Sequence, residues 1–205
     1  MIYIQGRSCF VHIPRTSGLS VCASIAAGCP AASVALVTAY SPWLPINRHS
    51  RAVGLQYVIS DWSLIKKWTI VRHPFDIVSS TYRLIKHTAH HPTWNDPVAM
   101  ACQERAKRHT FESFINEELG FLRVNGGYYR HWCMDGDANL GVVPFRYDEV
   151  DGRWGEIADL AGFSSLAPRI AANQSQGDSP QWTPALMNII ADWCKDDFDR
   201  FGWQA

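Results

Sequence analysis

The sequence predicts an α/β fold, a single three-layer domain over residues 1–205 around a central parallel sheet. Three observations predict it. Short apolar, β-prone runs alternate with longer helical patterns, which is the spacing that parallel crossovers require. Two of those runs, 9–13 and 67–71, stop at a proline-containing loop that opens a helix. The 205 residues are 47% hydrophobic, 19% charged and 12% aromatic. A chain of this length buries roughly 70% of its unfolded surface, and the composition excludes disordered, collagen-like and low-complexity classes.

Residues 1–5 and 9–13 read as short strands separated by Gly6-Arg7, and a helical pattern follows over 18–27, stopped by Gly28 and Pro30. A further strand fits 33–40, before breaks at Pro42 and Pro45. A short helix fits 49–59, with Ser50 as its cap and Gly54 weakening it. The run Lys67-Trp68-Thr69-Ile70-Val71 has the continuous apolar character of a buried parallel strand. Pro74 then suits the first turn of a helix to about Lys86, with Val78, Tyr82 and Ile85 on one face and Ile77, Thr81 and Leu84 beside it. Helices are expected over 97–108 and from a Thr110 cap through Glu118. Gly126-Gly127 marks a turn, 141–145 an edge strand that tolerates Pro144, and 149–161 a helix. A final amphipathic helix spans 184–201 on Leu186, Ile189, Ile190, Trp193, Cys194 and Phe198. No internal repeat or linker divides the chain.

The formal charge is zero, yet residues 1–110 carry 12 Lys and Arg against 4 Asp and Glu, and residues 111–205 carry 7 against 15. The first half therefore suits an anion. The absence of a long Lys/Arg run excludes a general nucleic-acid binder. Six scattered cysteines without a Cys-x-x-Cys pair form neither a zinc pattern nor a disulfide framework, and read as buried thiols in a reducing compartment. The uncharged stretch 16–47 is broken by Gly28-Cys29-Pro30 and Pro42, so no membrane partner is expected, and 9–13 is too short for a signal peptide. A cytoplasmic location follows from these readings. His87, His90 and His91, with His131 and Cys133, lack the spacing of a metal centre, so no metal is expected. Trp43, Trp62 and Trp94 fall in loops that could border a cleft.

The segment His12-Ile13-Pro14-Arg15-Thr16-Ser17-Gly18-Leu19-Ser20 lies at a strand-to-helix junction, where free N–H groups and the helix dipole favour an anion. One cation, three hydroxyls and one glycine suit a phosphate or a sulfate. The Gly-Lys pair of a Walker A loop is missing. His12, ending a buried strand, reads as a structural histidine.

That nonapeptide resembles the His-Ile-Pro-Lys-Thr-Gly-Gly-Thr-Ser loop of sulfotransferases that use 3′-phosphoadenosine 5′-phosphosulfate. Ile70-Val71-Arg72-His73-Pro74-Phe75-Asp76, with Ser80 and Tyr82, is similar to their Val-Arg-(Asp/Asn)-Pro…Ser-x-Tyr element. Looser likeness extends to Arg48-His49-Ser50, to Phe145-Arg146-Tyr147-Asp148 and to Asp197-Phe198…Phe201-Gly202-Trp203. The resemblance implies a P-loop-like fold and sulfuryl transfer from that co-substrate to a hydroxyl of a small-molecule or glycan acceptor. It implies that Arg15 contacts the phosphosulfate bridge, that Thr16, Ser17, Gly18, Leu19 and Ser20 form the loop around it, and that Arg72 and Ser80 hold the 3′-phosphate. His49, in the segment between the two motifs, is the expected general base, because an unperturbed imidazole titrates near ~6.5. Asp61 or Glu104 could serve in its place. Three positions depart from the family: Arg15 for Lys, Ser17 for Gly and Leu19 for a hydroxyl residue. Arginine keeps the charge and forks onto two oxygens, but cannot lose a proton. The rival readings are a nucleotide kinase-like enzyme that takes ATP with magnesium, and a non-catalytic nucleotide-binding protein. No pattern selects the acceptor or the oligomeric state.

Overall fold

The computed structural model describes residues 2–28, 40–41, 44–45, 49–87, 101, 104–105, 107–118, 124, 126–161 and 177–205. In chain order these form β1 (Ile2–Ile4), β2 (Ser8–Phe10), α1 (Gly18–Gly28), β3 (Tyr40–Ser41), β4 (Leu44–Pro45), α2 (Ala52–Leu55) and β5 (Lys66–Val71). There follow α3 (Pro74–His87), α4 (Phe111–Ser113) running into a π turn (Phe114–Glu118), α5 (Tyr128–Cys133), β6 (Met134–Asp135) and β7 (Ala138–Asn139). The last elements are β8 (Val142–Arg146), α6 (Trp154–Ala161), α7 (Pro184–Trp193) and α8 (Lys195–Phe201). The chain divides into two compact units, Met1–Arg72 with Tyr128–Asn173, and His73–Gly127 with Gln174–Ala205.

The first unit is built on a sheet of order β1-β2-β5-β8. β5 runs parallel to both β2 and β8, but β1 is antiparallel to β2, so the sheet is mixed where a parallel one is expected. The reason is the length of the joint. Three residues, Gln5-Gly6-Arg7, separate β1 from β2, whereas a parallel return needs a crossover of about a dozen. Gly6, at φ 69°, supplies the left-handed turn. Asp61 then fixes the hairpin, accepting from the Tyr3 hydroxyl at 2.7 Å and the Gly6 N–H at 2.9 Å.

All of β2 and the last four residues of β5 are buried, which is why both read as unbroken apolar runs. On one face Ile2, Ile4, Phe10, Trp68, Ile70 and Phe145 pack against Val21 and Ile25 of α1 and Ile157 and Ala161 of α6. Phe10 and Trp68 meet at 4.5 Å between ring centroids, and Trp68 meets Phe145 edge-on at 6.4 Å. By strand alternation Cys9, Val11, Thr69 and Val71 face the other way, and they too are buried. The Thr69 hydroxyl donates to the Val11 carbonyl at 2.7 Å, which ties β5 to the chain just past β2. α5 and the β6–β7 hairpin have no counterpart in the sequence reading. The Tyr129 hydroxyl anchors α5 by donating to the Val142 carbonyl of β8 at 2.6 Å. α2 is only four residues long and its cap position is Arg51 rather than Ser50, with no side-chain bond.

In the second unit α3 matches its expected span and buries Ile77, Val78, Thr81 and Ile85. The Thr110 side chain caps α4, accepting from the Ser113 N–H. The single helix expected over 184–201 is two. The break falls at Cys194 because the Asp196 N–H donates to the Gly126 carbonyl at 2.8 Å instead of continuing the helical ladder. The strand expected over 33–40 lies outside the described residues except for Tyr40, and 97–108 lies largely outside them. Among the described residues no helix is long and apolar enough to cross a membrane.

Cys9, Cys22, Cys133 and Cys194 are free thiols, while Cys29 and Cys102 fall outside the described residues. Burial in the middle of β2 pushes the Cys9 thiol from its ordinary 9.0 up to about 12. Above the lower value the unfolded chain binds fewer protons than the folded one. The contribution to stability is thus complete below pH ~9 and is lost, at about 1.4 kcal/mol per pH unit, as the pH rises towards the folded value. Urea unfolding between pH 8 and 11 should show Cys9→Ala with a shallower loss by that amount; equal slopes would contradict the burial assigned to this thiol.

Candidate functional site

Beyond β2 the chain continues through Val11-His12-Ile13 into a four-residue turn and then α1. Within that turn Arg15 and Ser17 have φ 64° and 73°, the two non-glycine residues with positive φ among those described. Pro14, Thr16 and Gly18 do not share it, so the hand of the backbone alternates through the loop. Alternation of this kind curls successive N–H groups around a concavity that holds an anion. A side chain in the left-handed region costs about 1–2 kcal/mol, so something must hold the loop. Buried Thr16 contributes by donating its hydroxyl to the Ile13 carbonyl at 2.8 Å. The Val21 N–H donates to the Ser17 carbonyl at 3.1 Å and so starts the ladder of α1.

Arg72 is the second holder. It leaves the end of β5, beside the end of β2, and its Nη1 donates to the Arg15 carbonyl at 3.4 Å. Its guanidinium carbon lies 4.8 Å from the centre of the Tyr147 ring. Tyr147 follows β8 and donates its N–H to the Val71 carbonyl at 2.8 Å. Three neighbouring parallel strands therefore deliver the loop, Arg72 and Tyr147 at their carboxyl ends, where open α/β sheets place their ligands. Tyr147 is absent from the site read in the sequence, although the segment Phe145–Asp148 that carries it stands out there.

His49 comes to the base of the same loop. Its ring centroid is 4.4 Å from that of His12, and its Nδ1 lies 3.2 Å from the His12 carbonyl oxygen. A carbonyl only accepts, so Nδ1 carries a proton, and in a neutral ring the lone pair is then on Nε2. The Trp132 indole N–H donates to the His49 carbonyl at 3.0 Å and fixes its backbone. Nearby, the Arg51 Nε donates to the His131 carbonyl at 2.6 Å, and burial, followed by the Arg51 charge, lowers the pKa of the His131 imidazole. His12 is buried, as a structural histidine would be, and its ring lies so close to Gly18 that a Cβ there would overlap it. The chain from His49 through His12 to Gly18 is thus continuous contact.

The remaining candidates lie on several elements. Ser20 is buried in the first turn of α1, while Leu19 is partly exposed. Ser80 is buried on α3 in the second unit. Asp61 holds the β1–β2 hairpin, at the end of β2 opposite the loop. Glu104 pairs with Lys107 at 2.8 Å in the second unit. Trp62 is buried, with the Lys67 ammonium 5.5 Å from its ring. Arg48, His90, His91, Trp43 and Trp94 lie outside the described residues. Among the described residues no three His, Cys, Asp or Glu side chains gather as a metal site. Compared with family models, curated proteins and solved structures, the chain matches none.

The loop geometry makes opposite demands at adjacent residues. Ser17→Gly should raise stability by about 0.5–1 kcal/mol, relief of the left-handed strain less the added entropy of the unfolded chain. Gly18→Ala should lower it by about 1–3 kcal/mol, because the new methyl must displace the His12 ring. Denaturant melts of both variants check this, and the reverse order would contradict the loop conformation.

Proposed function

We propose that the protein moves a sulfuryl group from 3′-phosphoadenosine 5′-phosphosulfate to a hydroxyl of a small-molecule or glycan acceptor, on a P-loop-like fold in the cytoplasm. The observation that carries this reading is the contact of Arg72 with the Arg15 carbonyl, which joins two motif segments 57 residues apart at neighbouring strand ends. The residues suit the donor. The loop N–H groups match the 5′-phosphosulfate, the Arg15 charge matches its bridging oxygen, and Arg72 matches the 3′-phosphate that separates this donor from ATP.

In the transfer the bond from sulfur to the bridging oxygen breaks while a bond from sulfur to the acceptor oxygen forms. His49 Nε2 takes the acceptor proton, and the departing adenosine 3′,5′-bisphosphate keeps the electron pair. Attack and departure are roughly in line, so the protein contributes chiefly position and charge. Arg15 and the loop amides stabilise the negative charge that grows on the bridging oxygen.

Isothermal titration of adenosine 3′,5′-bisphosphate, AMP and ATP with magnesium separates this reading from a kinase-like one. The bisphosphate should bind best, and Arg72→Ala, which also removes a brace of the loop, should weaken it by about 1.5–3 kcal/mol more than it weakens AMP. A preference for ATP with magnesium would overturn the proposal. With labelled donor, His49→Ala should lower turnover ~10²–10⁴-fold at nearly unchanged donor affinity, and remove the limb of the pH–rate profile near neutrality. Arg15→Ala should lower the rate constant more than it weakens product binding, and Arg15→Lys should restore most of it. Turnover that survives both alanine variants would remove these residues from the chemistry, and no turnover in the parent would leave a binding protein.

A further inference from the structure

Arg51 follows His49 by two residues, so their Cα atoms are at most about 7 Å apart. Consecutive residues of α5 hold both. The Trp132 indole donates to the His49 carbonyl, and the His131 carbonyl accepts from the Arg51 Nε at 2.6 Å. α5 is itself well anchored, because Trp132 stacks on Tyr128 at 6.1 Å and meets His131 edge-on at 4.5 Å, and Tyr129 is tied to β8. The Arg51 backbone is pinned as well: its carbonyl accepts from the Gly54 and Leu55 N–H groups at 3.0 and 3.1 Å and opens α2. The residue is exposed, and a carbonyl partner uses one of the five guanidinium donors and none of the charge. Among the described residues no carboxylate forms an ion pair with Arg51. Asp61 accepts from Tyr3 and Gly6, Asp137 pairs with Arg130, and Asp135, four residues past His131, is exposed. Burial, and then the Arg51 charge, lower the His131 pKa from its ordinary 6.5, so that imidazole is neutral near pH ~7 and the cation beside it is Arg51.

We infer that Arg51 binds the acceptor, taking an anionic group of the same molecule whose hydroxyl proton passes to His49. The acceptor is therefore a hydroxyl compound that also carries a carboxylate, a sulfate or a phosphate. This rests on the function proposed above and names the acceptor class that function leaves open. The donor loop and Arg72 are matched to the anions of the nucleotide, whereas Arg51, beside the base, is matched to the molecule that the base deprotonates. A carboxylate or phosphate meets a guanidinium through two parallel hydrogen bonds, which fixes orientation as well as affinity. An acceptor gripped at its anion has its hydroxyl turned towards His49 before the transfer begins.

Two pairs of probes test this: glucuronate with glucose, and para-hydroxybenzoate with para-hydroxybenzyl alcohol, a saccharide and a small aromatic that each carry the charge or lack it. Each is titrated into the parent saturated with adenosine 3′,5′-bisphosphate while the Arg51 Nε–H signal is followed by nitrogen-15 NMR, and each is then offered as acceptor with labelled donor. In at least one pair the anion should move that signal on a saturable curve and exceed its neutral partner in affinity and in kcat/KM by about 10- to 100-fold, the scale of a charge-assisted hydrogen bond. The pair that responds tells a saccharide acid from an aromatic one. Arg51→Ala should erase the preference, and Arg51→Lys, which keeps the charge and serves if the alanine variant does not fold, should retain part of it. If neither anion outbinds its neutral partner, or Arg51→Ala lowers both members of a pair alike, the inference is overturned and the proposed function stands on its own tests. Affinity alone decides where no probe turns over. If the parent does not prefer the bisphosphate to ATP with magnesium, the proposed function fails and the acceptor role of Arg51 with it, even where the anions bind.

Discussion

The Arg72 guanidinium lies between the Arg15 carbonyl and the Tyr147 ring, and the geometry of the candidate site depends on that placement. Arg15 and Ser17 occupy a backbone region that L-residues avoid, so the loop needs contacts from outside itself. Thr16 closes the turn from within through the Ile13 carbonyl, and Arg72 closes it from β5. β5 can do so because Trp68, Ile70 and Thr69 lock it to β2 on both faces of the sheet. Core packing thus fixes the spacing of the strand ends, and the strand ends fix the loop.

The parts of this arrangement that the sequence makes legible are those written in contiguous residues. β2, β5 and α3 carry a continuous apolar run or a helical period, and the loop and Arg72 sit on the boundaries of those runs. The antiparallel β1 is also implicit, because three joining residues allow no crossover. The β6–β7 hairpin has its own local mark in Gly136-Asp137, a two-residue turn between short pairs. The break at Cys194 has no such mark. It depends on the Gly126 carbonyl, almost seventy positions earlier. What Tyr147 does is illegible for the same reason, since it follows from strand register, and for His12 the sequence shows a buried structural histidine but not that its ring packs on Gly18.

Charge shows where composition misleads. The acidic half of the chain suggests an electronegative surface, yet Asp148, Glu149 and Glu156 are engaged by Arg146 and Arg153 within a short stretch of chain. Exposed pairs of this kind add little stability. His49 is the reverse case. Its type and place in the sequence suggest a base, and the His12 carbonyl fixes which of its nitrogens carries the lone pair.

The central claim is that the backbone of residues 15–20 is an anion cradle completed by Arg72 at the strand ends. Its most direct test is a nitrogen-15 NMR titration of the assigned protein with adenosine 3′,5′-bisphosphate. The account predicts that the largest amide shifts fall on residues 15–20, with the Arg72 side-chain N–H signal moving on the same binding curve. Saturable shifts centred elsewhere, with these amides unmoved, would contradict it.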